Sequence, residues 1–218
     1  LTRIVKIDSD GSFRKGLDEA ARIISQGGIV SFPTESFYGL GVDATNPDAI
    51  GRLFRIKKRD PDLPILILIS SLRKLPKYAA SIPPRAKRMG EKFWPGDLTM
   101  VFQSSPTLPL VLTGGKGKVA IRISSHPLAN ALSRAVHVPI TGTSANISRR
   151  PPCTMADQVV ECLGDDLDLI LDGGITQGKY PSTILDVTSD PPIVIREGII
   201  SVEEIARSGI YEEIINPV

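Results

Sequence analysis

Eight side chains in this sequence are of types that handle an anion. Thr34, Ser144, Asn146 and Ser182 offer hydroxyls and an amide, and Lys57, Arg59, Arg122 and Arg196 offer cations. The small polar residues follow apolar runs that read as strands, which places them on the loops where open α/β sheets bind ligands. Short polar side chains let a phosphate approach backbone N–H groups, and a guanidinium pairs with a carboxylate through two parallel hydrogen bonds. The implied chemistry is the holding of charged reactants. Taken singly, each residue has a structural reading too: Lys57 and Arg59 as the solvated end of a helix, Ser144 and Asn146 as the cap of a turn.

Other chemistries find no residues to carry them. Gly114-Gly115-Lys116-Gly117-Lys118-Val119 looks like a phosphate loop, but Val119 stands where the Walker pattern needs Ser or Thr, so a flexible loop is the simpler reading. There is no His-Glu-x-x-His or Gly-x-Ser-x-Gly, and the two histidines, His126 and His137, are eleven residues apart. The two cysteines, Cys153 and Cys162, have no histidine nearby and read as reduced packing residues.

The elements that must position these groups alternate between strand and helix. Ile4–Ile7 reads as a strand, residues 12–26 as a helix stopped by Gly27-Gly28, and Ile29-Val30 with Phe32 as a strand that Pro33 breaks into a polar loop running to Gly41. Asn46-Pro47 starts a helix to about Ile56, and Ile65–Ile69 reads as a buried strand. A helix is expected near Pro84–Phe93, strands at Leu98–Phe102 and Val119–Ile123, a helix from Pro127, and a short strand at Pro139–Thr141. Thr154 with Asp157 is expected to cap a helix through Leu163. Strands at Leu169–Leu171, Thr183–Asp186 and Ile193–Arg196 follow, with a capping box at Ser201 and Glu204 and a closing helix over 199–218. The whole, residues 1–218, is expected to form a single α/β domain with a twisted mixed parallel and antiparallel sheet flanked by helices around a central substrate cleft.

Composition narrows the partners. With 26 Lys+Arg against 24 Asp+Glu the net charge is +2, so any anion site must be local. The longest apolar run is far below the roughly 20 residues that cross a bilayer, and the N-terminal residues lack a signal-peptide pattern, so the expected location is the cytoplasm with no membrane partner.

Ordered along the chain, these residues fall into motifs. They are Gly28-Ile29-Val30-Ser31-Phe32-Pro33-Thr34-Glu35-Ser36-Phe37-Tyr38-Gly39-Leu40, Lys57-Lys58-Arg59, Trp94-Pro95-Gly96-Asp97-Leu98-Thr99, Val119-Ala120-Ile121-Arg122, Thr143-Ser144-Ala145-Asn146, Pro181-Ser182-Thr183-Ile184 and Ile195-Arg196-Glu197-Gly198. In this set the chain resembles the Sua5/YrdC/YciO family of threonylcarbamoyl-adenylate synthases, over roughly residues 12–200. The resemblance implies an enzyme that joins L-threonine, bicarbonate and ATP, with Mg²⁺, into L-threonylcarbamoyl-AMP and pyrophosphate. That is the first step of the t6A modification of tRNA, and it implies hand-over to a separate tRNA threonylcarbamoyl transferase.

By the same resemblance Thr34, Tyr38, Arg122 and Ser182 form the threonine pocket, Arg122 pairing the carboxylate. Lys57 and Arg59 are the catalytic cations and also bind ATP, together with Thr113, Ser144, Asn146 and Arg196. No protein side chain is implied as a metal ligand. The chain departs from the family pattern at Leu63, where a phosphate contact is expected to be lost, and at Arg149, which stands where a glycine is usual. The loop 106–118, with three glycines, is a candidate lid. A second reading is an RNA-binding module, drawn from the cations of 52–59 and from Arg85, Lys87, Arg88 and Lys92, which tight, steeply salt-dependent tRNA binding would support; beside the synthase reading only weak tRNA binding is expected. The low net charge and few aromatics rank it lower, since a basic ATP pocket accounts for the same residues. A paralogue that has lost full synthase activity is a third.

Overall fold

The computed structural model describes residues 2–217. The chain opens with β1 (Arg3–Lys6) and α1 (Asp10–Ser25). A reciprocal capping box starts α1: Ser9 accepts from the Ser12 N–H and Ser12 accepts from the Ser9 N–H, which moves the start two residues ahead of the sequence expectation. Gly27, at φ +83°, takes the left-handed turn that ends it.

β2 (Val30–Pro33) and β3 (Tyr38–Gly41) form a buried antiparallel hairpin, with Phe32 opposite Gly39 and Pro33 opposite Tyr38. This corrects the expected polar loop to Gly41. Two glycines conceal the strand in the sequence, and packing requires one of them: a Cβ on Gly41 would stand 2.7 Å from the Phe32 ring. α2 (Pro47–Lys57) begins at Asn46, whose side chain accepts from the Asp48 and Ala49 N–H groups, and it closes at Lys58 in the left-handed region, φ +48°.

Next come β4 (Ile67–Leu68), only two residues of the apolar run, a 3₁₀ turn (Leu72–Lys74), α3 (Leu75–Tyr78) and α4 (Pro84–Phe93). β5 (Leu98–Gln103), α5 (Leu110–Thr113), β6 (Lys118–Arg122), α6 (Pro127–Ala135), β7 (Ile140–Thr141) and β8 (Thr143–Ser144) follow. α7 (Ala156–Leu163) has Met155 as its N-cap, not Thr154, whose N–H donates instead to Gln158 Oε1. β9 (Leu169–Asp172), β10 (Thr183–Asp186) and β11 (Ile193–Arg196) lead to α8 (Val202–Arg207). The expected closing helix over 199–218 is therefore one short helix, ended by Gly209 at φ +66°; Val218 lies outside the described residues.

The strands form two mixed sheets. One has the order β1-β9-β2-β3-β8 and the other β11-β10-β5-β6-β4-β7, each with parallel and antiparallel neighbours. The chain steps from the second sheet to the first at Gly142, between β7 and β8, where any Cβ would press to 2.9 Å against the Leu68 side chain.

In the first sheet Val30, Phe32, Leu169 and Leu171 pack with α1 and α6, while Ile29 and Ile170 belong to the core with α2 and α7. In the second, Leu98, Met100, Val119, Ile121 and Leu185 belong to the core that also holds Ala86 and Met89 of α4, and their alternating neighbours Thr99, Ala120, Arg122 and Ile184 face a cleft. Each fully buried aliphatic side chain contributes about 1.5–3 kcal/mol by leaving water, so these cores hold the two cleft walls rigidly.

Candidate functional site

The cleft between the sheets is a cavity of about 550 Å³. From the first sheet and its turns come Thr34, Tyr38 and Ser144, with Asn146 just beyond β8; from the second come Arg122 at the end of β6, Ser182 before β10 and Arg196 at the end of β11. Arg59 enters from the segment after α2. Among the described residues the cleft wall carries three guanidiniums and no carboxylate. The space accepts anions.

Several of these groups are held by their own hydrogen bonds. Thr34 Oγ1 donates to the Phe37 carbonyl at 2.6 Å and closes the β2–β3 turn. Ser182 Oγ lies 3.0 Å from Thr99 Oγ1, and Arg196 donates to the Ser182 carbonyl through Nε and Nη2 at 3.2 and 2.8 Å. Burial pushes the Arg196 guanidinium down from its ordinary value, and the neighbouring Arg122 charge adds to that, so two cations face one space. Arg59 donates to the carbonyls of Leu63 (3.2 Å) and Pro64 (2.8 Å). The Leu63 contact is to backbone, and the side chain itself is exposed. Tyr38 donates its hydroxyl to the Gly174 carbonyl at 2.8 Å and so ties the wall to the segment after β9.

Two expected site residues stand elsewhere. Lys57 is buried, 1% exposed, behind the wall, and its ammonium donates to the carbonyls of Ser144 and Asn146 (2.8 Å for Asn146) and to Asn146 Oδ1 at 3.1 Å. Ser144 Oγ donates to the same Oδ1 at 2.7 Å, and Asn146 Nδ2 donates to the Arg150 carbonyl. All three ammonium protons have acceptors, so Lys57 positions the Ser144–Asn146 turn instead of reaching the cavity. Burial, and then Arg59, push its pKa down to about 7.

Thr113 is likewise buried and turned inward, its hydroxyl donating to the Leu110 carbonyl at 3.0 Å, outside the cleft wall. The loop 106–118 that carries it is docked on the segment before β4: the Ile65 N–H donates to the Leu112 carbonyl, and a Cβ on Gly114 would stand 2.6 Å from the Asp62 carbonyl. Arg149 adopts the left-handed region at φ +68°, the conformation a glycine would take without strain, and it is exposed. Cys153 and Cys162 are both free, and burial pushes the Cys153 thiol up to about 11.

Glu35 and Asp97 were not singled out by sequence reasoning, though both lie inside the motifs. Glu35 accepts from the Arg122 guanidinium, from Ser124 Oγ at 2.9 Å, and from the Ser125 N–H and Oγ. Asp97 lies 3.7 Å from Arg122 on the other side. Arg122 is thus pinned between two carboxylates that do not line the cavity, and its Nε is buried with no hydrogen-bond partner. The only sequence signal was a carboxylate beside Thr34; its partner is 87 residues away.

The two carboxylates shift in opposite directions. Burial alone would raise Glu35, but the Arg122 charge and the hydrogen bonds from Ser125 and Ser124 outweigh it and hold the group below its ordinary value. Burial raises Asp97, with Arg122 opposing and Glu35 reinforcing. A carboxylate whose folded pKa is depressed stabilises the fold above its unfolded pKa, and that stability is lost as pH falls through the folded value. Melting temperature should therefore fall on acidification below about pH 4.5, and Glu35→Gln should flatten that limb relative to the parent chain. A parallel decline in both would show that Glu35 is not ionised in this pairing.

The Sua5/yciO/yrdC family model, described as telomere recombination, matches residues 22–198. The chain belongs to the Sua5/YciO/YrdC family. A threonylcarbamoyl-AMP synthase of Pyrococcus abyssi is 40% identical over 188 residues, which are 86% of this chain and 55% of that protein. One from Vibrio vulnificus is 34% identical over 184 residues, 84% of this chain and 98% of that protein. The crystal structure of P. abyssi Sua5 complexed with L-threonine superposes with a TM-score of 0.92 at 36% identity, covering 99% of this chain and 62% of that one. This chain spans about half the length of the longer curated relatives that it matches. Among the described residues no helix is long and apolar enough to cross a membrane.

Proposed function

We propose that this family member is an L-threonylcarbamoyladenylate synthase, a nucleotidyltransferase acting on L-threonine, bicarbonate and MgATP in the cytoplasm. The observation that carries the proposal is a cavity lined by Arg59, Arg122 and Arg196 with no carboxylate on its wall among the described residues. All the reactants bring negative charge, and the names of the relatives agree with this chemistry.

The amine of threonine and bicarbonate condense to a carbamate with loss of water. A carbamate oxygen then bonds to the α-phosphorus of ATP, and the bond to the leaving pyrophosphate breaks. The carbamate is short-lived, so most of the catalysis is confinement of the reactants in register. No covalent nucleophile is required of the protein. Arg122, on the cavity wall, takes the amino-acid carboxylate, flanked by Thr34 and Ser182 and walled by Tyr38. Arg59 and Arg196, with Ser144 and Asn146, neutralise the triphosphate as charge moves onto pyrophosphate. In this reading Mg²⁺ enters as part of the nucleotide substrate. The adenylate then passes to a tRNA threonylcarbamoyl transferase.

Pyrophosphate release should require threonine and bicarbonate together, with mass spectrometry detecting the adenylate. Release without threonine, or none under any combination, would overturn the proposal and favour a paralogue with altered chemistry.

A further inference from the structure

The two carboxylates that flank Arg122 are held very unequally. Glu35 accepts four hydrogen bonds, from the Arg122 guanidinium, from Ser124 Oγ, and from the N–H and Oγ of Ser125. Asp97 Oδ1 is buried and accepts none, and its one cationic partner among the described residues is Arg122 Nη1 at 3.7 Å. That distance is an ion-pair contact but too long for a hydrogen bond. The backbone around Asp97 is tied on both sides, since the Thr183 N–H donates to the Asp97 carbonyl at 3.0 Å and the Gly96 N–H donates to the Ile123 carbonyl at 2.9 Å. A buried ionised oxygen with no donor is costly, and here only the nearby guanidinium charge offsets that cost.

Few charges face this carboxylate. Arg122 comes from β6 and Glu35 from the turn between β2 and β3. Arg196, at the end of β11, acts on Arg122, and His126, at the start of α6, feels Glu35. Ser182 and Thr183, where β10 begins, are neutral. One guanidinium therefore already serves two carboxylates, and a substrate carboxylate arriving from the cavity makes three. The hydrogen bond that Asp97 does not make leaves Nη1 free to make one with the newcomer. Of the two resident carboxylates Asp97 is the one that gives way. Burial already raises it and Glu35 reinforces the rise, whereas Glu35 is held below its ordinary value. A further negative charge on the same guanidinium pushes Asp97 in the same direction again.

We propose that Asp97 is a positioning residue for the amino acid: it steadies the Arg122 guanidinium in the free protein and takes up a proton from water when a substrate carboxylate pairs with that guanidinium. The inference rests on the reading of Arg122 as the group that receives the threonine carboxylate. A neutral carboxyl is much cheaper to bury than an ion without a donor, so protonation removes both the repulsion and the desolvation cost. Because the complex binds more protons than the free protein, threonine affinity is greatest at low pH and falls as the pH rises through the interval in which Asp97 is neutral only in the complex.

The test is isothermal titration calorimetry of L-threonine into the whole chain, in buffers of different ionisation enthalpy. The slope of observed heat on buffer enthalpy counts the protons taken up. At about pH 6 free threonine is a zwitterion, so an uptake of about 0.5–1 proton per threonine belongs to the protein. Asp97→Asn keeps the shape without the charge; it should abolish that uptake and hold threonine affinity within about twofold from about pH 5 to 7.5, where the parent loses about tenfold. The parent slope decides the matter even where the variant does not fold. Threonine binding without proton uptake, or equal uptake in folded Asp97→Asn, would overturn the inference and leave the synthase reading standing; the second result would place the proton on Glu35 or His126. No threonine binding at all would overturn the reading of the pocket, and this inference with it.

Discussion

Lys57→Ala lowers pyrophosphate release by about 100-fold or more, an effect expected from misplacing binding groups by about 1 Å. The side chain does not reach the cavity; its ammonium holds the Ser144 and Asn146 carbonyls and Asn146 Oδ1 in one turn. Alanine removes the charged donor from all three; Asn146 Oδ1 keeps the Ser144 hydroxyl and the Ser144 carbonyl keeps the Asn146 N–H, so the Asn146 carbonyl is the one left unsatisfied, at about 1–3 kcal/mol, and the melting temperature falls as well. A double-mutant cycle separates positioning from contact. Because Lys57 acts through Asn146, Lys57→Ala and Asn146→Ala should be strongly non-additive in kcat/KM for MgATP. Additive losses would return Lys57 to direct contact with the nucleotide.

The second large effect belongs to Arg122, 4% exposed between Glu35 and Asp97. Arg122→Lys keeps a charge but removes the planar fork that can grip Glu35 on one edge and a substrate carboxylate on another. The half-saturating threonine concentration should rise by about 100-fold, with a smaller change for MgATP. Arg122→Ala should also destabilise the fold by about 3–5 kcal/mol, because it strands Glu35 beside Asp97 without a counter-charge. Threonine saturation unchanged in a folded Arg122→Lys protein would remove this residue from the amino-acid pocket. The Glu35→Gln variant gives a useful contrast: it weakens the pin but leaves the fork, so its threonine effect should be the milder of the two.

Much of the secondary structure was legible because it is written in contiguous residues. The Asn46 cap with Pro47, and the apolar spacing of Pro127–Ala135, are local chemistry and appear in the fold as expected. The hairpin strand Tyr38–Gly41 was not legible. Its two glycines read as loop, and only the Phe32 ring on the opposite strand shows why a side chain is excluded at Gly41. The mixed α/β character was expected, but its division into two sheets with a cleft between them depends on three crossings, after β3, at Gly142 between β7 and β8, and after β9, for which the sequence carries no distinct mark.

By itself the sequence determined the kind of chemistry and the residue types that carry it: short hydroxyls, an amide and guanidiniums set at strand ends. Eight of the ten expected site residues line one cavity, drawn from segments spread between Thr34 and Arg196. Tertiary structure alone decided that Lys57 faces a turn instead of the cavity, that Thr113 closes its own helix, and that Glu35 and Asp97 pin Arg122. It also separated two basic regions that read alike in sequence, placing Arg59 on the cleft wall and the cations of α4 off it. The physical reason is one of range. Capping, periodicity and turn preference act over a few residues and can be read from them, whereas a side chain's partner is set by which strands adjoin and which sheet face it occupies, over separations such as the 87 residues between Glu35 and Arg122.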